Sequence, residues 1–158
     1  MDILSTFSGK MLITMLMSMV PVIELRGAIP IGVSLGLGYW LSIGLSILGN
    51  LIPVPFLILF TKHVFQWLRG ISKHLNIFIK KLEARAAQKA DLVHRYAFWG
   101  LVLLVAIPLP GTGAWTGALV AAILNMRLRR ALPAIALGVV IAAVVVSFLT
   151  YGAAALLG

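Results

Sequence analysis

Acidic side chains are the scarcest feature of this sequence: its 158 residues hold 4 Asp plus Glu against 13 Lys plus Arg, a net charge of +9. Cysteine is absent, which excludes disulfides, thiolate nucleophiles and cysteine-ligated metals and leaves the redox compartment unread. Charge of either sign is sparse, at 11% of residues against 61% hydrophobic, with a mean hydropathy of +1.08. A soluble domain of this size needs far more surface charge; this is the balance expected when lipid is the solvent. The three histidines, His63, His74 and His94, fall in one segment and at helical spacing form no close metal pair. The hydrophobic parts hold no histidine and no second carboxylate, so acid–base catalysis lacks its groups, and neither enzymatic activity nor a metal or cofactor is expected. A nucleic-acid binder carries its basic groups on a water-exposed fold, and most of this chain has none. The positive charge therefore reads as a topology signal. The start Met1-Asp2-Ile3 lacks the basic leader of a cleaved signal, so the whole chain is expected to be mature.

What is present divides the chain into two hydrophobic halves around one basic segment. In the first half, Met11 to Ile23 is about 13 residues and as a helix reaches only about 20 Å, short of a membrane core of about 30 Å. It meets Glu24-Leu25-Arg26-Gly27, then resumes as Ala28 to Gly38, where Pro30 and several glycines weaken a continuous helix. This reads as a re-entrant hairpin over 11–38 broken at Gly27 and Pro30, followed by a span over 39–60 that opens on the interfacial pair Tyr39-Trp40. Residues 61–95 are rich in Lys and Arg and are placed in the cytoplasm by the positive-inside rule. There Val64, Leu68, Ile71, Leu75, Phe78 and Leu82 form one helical stripe, suited to a helix on the membrane surface or to a connector packed on the spans. The second half repeats the order. Two short arms over 96–126 flank the breaker Pro108-Leu109-Pro110-Gly111-Thr112-Gly113, and a span over 131–157 follows the cytoplasmic Arg127, Arg129 and Arg130. Ala28-Ile29-Pro30 answers Ala106-Ile107-Pro108, and Leu48-Gly49 answers Leu137-Gly138. With the first span running inward and the last outward, the halves form an inverted repeat, whose broken segments point to a binding site.

Glu24 is the only carboxylate within the hydrophobic parts, and an acid there costs a few kcal/mol unless it is paired, protonated or wetted. Burial penalises its charged form and nearby Arg26 favours it, which suits a proton or cation site; a structural ion pair with Arg26 is the plainer reading. Arg26 suits two-point contact with phosphate or carboxylate, or else neutralises Glu24 or caps carbonyls freed at the hairpin. In the second breaker, exposed amides near Ala114 with Gly111, Thr112, Gly113 and Thr116 make a positive-ended cradle for an anion, or a close-packing device. Asn50, near Pro53 and Pro55, is a polar group in a span that needs a partner, and interhelical bonding is its expected role.

The stretches Glu24-Leu25-Arg26-Gly27-Ala28-Ile29-Pro30-Ile31-Gly32 and Ile107-Pro108-Leu109-Pro110-Gly111-Thr112-Gly113-Ala114-Trp115-Thr116-Gly117 closely resemble the small multidrug export protein family of prokaryotes, over nearly the whole chain. That family is distantly similar to the DedA and VTT-domain membrane proteins, a resemblance that implies two opposed re-entrant hairpins, lipid scrambling or polyprenyl-phosphate recycling, and proton coupling. The chain departs from them in having no arginine between Val105 and Thr116.

The expectation is an all-α, multi-pass protein of a prokaryotic cytoplasmic membrane, built as two inverted repeats, each a hairpin plus a transmembrane helix. It works as a small proton- or cation-coupled transporter with its site between the hairpin tips. Its partners are membrane lipid and a small-molecule or lipid substrate, with homo-oligomerisation left open. The alternatives are a translocase or scramblase of anionic lipids and a non-transporting membrane-shaping or assembly protein.

Overall fold

The computed structural model of the chain describes residues 6–71, 77, 90–108 and 112–152. Among the described residues all regular structure is helical: α1 (Phe7–Met19), α2 (Glu24–Ser34), α3 (Tyr39–Leu51), α4 (Pro53–Ile71), α5 (Ala90–Ala106), α6 (Ala114–Ile123) and α7 (Leu128–Ser147), with a π-helical turn, Phe148–Gly152, continuing the last. Of the amphipathic stripe, Val64, Leu68 and Ile71 fall on α4, which continues past the expected end of the span at 60, and Leu75, Phe78 and Leu82 lie outside the described residues.

Two stretches are long and apolar enough to cross a bilayer: Tyr39–Thr61, 23 residues with mean hydropathy 2.1, and Leu128–Tyr151, 24 residues with mean hydropathy 2.7. At 1.5 Å per residue each reaches about 35 Å. The first is jointed where α3 hands over to α4 at Ile52, with Pro53 in the opening position of α4, where its missing N–H costs nothing. By contrast α1 has 13 residues and α6 has 10, so neither reaches across alone.

The chain does not break at Gly27 and Pro30, as the sequence suggests; both lie inside α2. The break falls over Val20–Ile23, where Val20 N donates to Met17 O at 3.2 Å and Glu24 N to Val20 O at 2.8 Å. Pro30 removes one helical hydrogen bond, and packing outweighs that loss: Ala28 and Ile29 are fully buried, and Gly32 is pressed between Ser42 and Thr14. The first arm also begins earlier than Met11, at Phe7. Consequently Ala28-Ile29-Pro30, inside a helix, and Ala106-Ile107-Pro108, at the end of one, are not equivalent places.

Other places in the two halves match in local geometry. After α2, Gly36 (φ +83) closes a Schellman turn, with Gly36 N donating to Val33 O and Leu37 N to Gly32 O. After α6, Asn125 (φ +50) closes the same turn, with Asn125 N donating to Ala122 O and Met126 N to Ala121 O. Gly and Asn are the residues that tolerate this left-handed position. The separation is 125 − 36 = 89 residues, and 138 − 49 and 113 − 24 give the same 89. Over 24–38 and 113–127 the burial pattern is shared at every position except Pro30/Leu119 and Val33/Ala122. Gly49 and Gly138 do the same job at this spacing. A Cβ on Gly49 would strike the Met15 carbonyl where α1 crosses α3, and one on Gly138 would lie 2.9 Å from the Val102 carbonyl where α5 crosses α7. Gly49→Ala and Gly138→Ala are each expected to cost about 1–3 kcal/mol through forced separation of these helices, read as a fall in melting temperature in detergent.

In packing, α1, α2 and α3 form one triplet and α5, α6 and α7 another; α3 and α2 lie on α7, and α4 lies on α6. Tyr39 at the start of α3 meets Tyr151 beyond α7, ring centroids 4.5 Å apart, so α3 and α7 run antiparallel. The shared core holds Leu25, Ile29, Val54, Ile58, Leu101, Val105, Ala118, Ile135 and Val139.

Candidate functional site

Where the two breaks meet, short-range contacts join residues 81 to 96 positions apart. Glu24 opens α2 in the left-handed region, φ +49, an uncommon conformation for a side-chain-bearing residue. This aims its carboxylate, only 5% exposed, at the start of α6. There Trp115 N donates to Glu24 Oε1 at 3.4 Å, and the carboxylate lies over Gly113: a Cβ on that glycine would stand 2.6 Å from the Glu24 Cδ. Gly113, with φ +146 and ψ −164, is in a conformation essentially reserved for glycine. It is also the N-cap of α6, so the residue supplying the cap side chain comes from the other half of the protein. An anionic group at the positive end of a helix is where the peptide dipoles favour it.

Arg26, two residues on, serves the opposite polarity. Its Nη2 donates to Ile107 O at 3.1 Å, just past the end of α5, and to Thr112 Oγ1 at 3.0 Å; Thr112 Oγ1 also donates to Ile107 O at 2.7 Å. A cation on the trailing carbonyls of one helix and an anion on the leading amides of the next match both ends of the second break. Arg26 is also an electrostatic neighbour of Glu24. The indole of Trp115 completes the junction, Nε1 donating at 3.1 Å to Met19 O at the end of α1.

The structure thus brings Glu24, Arg26, Thr112 and Gly113 together. Thr116 is half-buried in the first turn of α6, Pro108 follows the end of α5, and Gly111 and Pro110 lie outside the described residues. The amides near Ala114, which the sequence offers as a cradle for an anion, carry the chain's own carboxylate. Asn50 sits elsewhere, on α3; it is 1% exposed, and neither Oδ1 nor Nδ2 has a partner among the described residues. Among the described residues no group of His, Asp or Glu is arranged to hold a metal ion. Two contacts are not legible in the sequence. Ile107 contributes only a backbone carbonyl, which no side-chain pattern signals. The Trp115 amide belongs to the run of amides that the sequence offers to an anion, but the bond from its indole to Met19 O does not follow from that run.

Comparison with known proteins gives one family: the model described as "Putative small multi-drug export protein" matches residues 24–145, from the carboxylate of this junction to the far part of α7. No curated protein and no solved structure matches the chain.

Proposed function

The chain belongs to the small multidrug export family, whose name denotes a membrane transporter, and from that premise we propose that it is a proton- or cation-coupled exporter worked by Glu24. The two breaks are the tips of opposed re-entrant hairpins, 7–38 entering from outside and 96–126 from the cytoplasm, and each half is one copy of an inverted repeat. Three features support this: the matched Schellman turns, the common 89-residue register, and the antiparallel α3 and α7. On this register Glu24 and Gly113 are equivalent positions that touch, so the pseudo-twofold axis passes between them.

The observation that carries the reading is the Glu24 carboxylate capping α6 from the other half. Ionised, it is held by the helix dipole and the Trp115 amide; once it takes a proton or is engaged by a substrate cation, that attraction fades and the tips can part. Arg26 bridges the same two breaks through Ile107 and Thr112, so its hydrogen bonds are released together with that of Glu24 when the tips part. Coupling follows because opening the substrate site and charging Glu24 compete. In proteoliposomes with an imposed pH gradient, Glu24→Gln is expected to lose gradient-driven flux of a cationic dye at least tenfold, while dye counterflow without a gradient persists. Retention of gradient-driven flux would remove Glu24 from the mechanism.

A second reading has one favouring observation, the dipole end of α6 beside the Arg26 guanidinium. An anionic lipid head group could take this place only by displacing Glu24. In that case fluorescent anionic lipid, not cationic dye, moves between leaflets, and Glu24→Gln accelerates it.

A further inference from the structure

The two helix triplets share a scaffold but not an interior. Facing one another inside α1, α2 and α3 are Thr14, Ser18, Ser42, Ser46 and Asn50, each at most 1% exposed. The 89-residue register maps Ser42, Ser46 and Asn50 onto Ala131, Ile135 and Val139. The crossing contacts of Gly49 with Met15 and of Gly138 with Val102 map Thr14 and Ser18 onto Leu101 and Val105. All five counterparts are apolar and buried in the core. If polar groups served only to hold such a triplet together, the second would need them too, and at the five equivalent places it packs without them, its one buried serine, Ser147, lying at the far end of α7 with its Oγ likewise unpartnered among the described residues.

The polar residues form levels. At one end the Lys10 ammonium stands near Gly36, in the turn leading to Tyr39. Next, Thr14 and Ser42 close on Gly32; then Ser18 Oγ donates to Ser46 O. Thr14, Ser18 and Ser42 use their hydroxyls on backbone carbonyls, Lys10 O, Ser46 O and Gly38 O. The next hydroxyl up, Ser46 Oγ, and both amide atoms of Asn50 have no partner among the described residues. Asn50 stands 50 − 42 = 8 residues beyond Ser42, and Glu24 stands 32 − 24 = 8 residues before Gly32 on the antiparallel α2. Both are about 12 Å along their helices from the Gly32–Ser42 contact, so Asn50 reaches the depth of Glu24. Buried polar atoms left open in this way call for an occupant, and a polar-lined gap accepts water where an apolar one stays dry.

We propose that water occupies the interior of the first triplet around Ser46 and Asn50, at the depth of Glu24, entering from the Lys10–Tyr39 end when the Thr14–Gly32–Ser42 contact parts, and that the second triplet is its dry counterpart. This water gives the carboxylate an aqueous route to one side of the membrane only. By the charge rule this is the side opposite Arg127–Arg130. Its role in flux rests on the transport reading of Glu24; its hydration does not.

The chain is naturally free of cysteine, so single cysteines report directly. In proteoliposomes, Ser46→Cys and Asn50→Cys are expected to react with a small water-soluble cationic methanethiosulfonate at least tenfold faster than the equally buried Ile135→Cys and Val139→Cys. Equal rates overturn the proposal. Asn50→Leu provides the second arm, independent of cysteine folding: a wet pathway predicts a melting temperature at or above wild type with gradient-driven flux down at least tenfold. Where Glu24→Gln has lost its flux, an Asn50→Leu protein with full flux overturns it. Should the two cysteines react fast while Glu24→Gln keeps its flux, the crevice stands and the coupling role of Glu24 falls.

Discussion

Replacing Gly113 by alanine is expected to cost more than about 3 kcal/mol of stability, and to abolish transport in whatever protein survives. Two effects add. The backbone at φ +146 is one that a Cβ-bearing residue adopts only under strain, and the added methyl would fall within the Glu24 carboxylate. The parts separate in a double-mutant cycle. Glu24→Ala removes the atoms that collide but not the backbone strain, so it should recover a portion of the Gly113→Ala loss, a non-additivity of about 1 kcal/mol or more. Additive losses, measured by thermal unfolding in detergent, would mean that the two residues are not in contact.

Removing Arg26 is the next largest expected effect. Arg26→Ala takes a charged donor from the Ile107 carbonyl and from Thr112 at once. Hydrogen bonds to charged groups are worth about 1.5–3 kcal/mol each by mutation, more when a buried acceptor is left short. A loss of about 3 kcal/mol is therefore expected, with a melting temperature lower by several degrees. Arg26→Lys keeps the charge, but its ammonium ends a shorter side chain than the one whose Nη2 reaches both acceptors, and should restore less than half. Thr112→Val should be mild in the Arg26→Ala background and clearly harmful in the wild type, since Thr112 and Arg26 share the Ile107 carbonyl.

Much of this architecture can be read from residues. Runs of apolar side chains locate the two long helices, because a bilayer demands about 20 of them in succession, and Pro108 to Gly113 marks a break because proline and glycine accumulate there. Harder to read was the first break. Gly27 and Pro30 look like helix enders, yet tertiary packing of Ala28, Ile29 and Gly32 carries the helix through both, and the true break over Val20–Ile23 holds only Pro21 to announce it. The proposed register of the halves is likewise obscured: Ala-Ile-Pro recurs by composition, whereas the turns that match in geometry are closed by Gly36 and Asn125, two different residues meeting one left-handed requirement. Glu24 and Arg26 stand out in sequence as isolated charges. Their partners do not, because those are backbone amides and carbonyls. The Ser42, Ser46, Asn50 spacing of four was visible, but only burial shows that three of its polar atoms go unpartnered.

The central claim is that Glu24 latches the two breaks together when ionised and releases them when neutral. Spin labels at Val22→Cys, 90% exposed beside the first break, and at Ile107→Cys, 46% exposed at the second, would report the distance between them in nanodiscs. The account predicts a single short distance at high pH, growth of a longer-distance population as the pH falls, and, with Glu24→Gln, the longer population at every pH. One unchanging distance distribution across pH, shared by the Glu24→Gln protein, would contradict it.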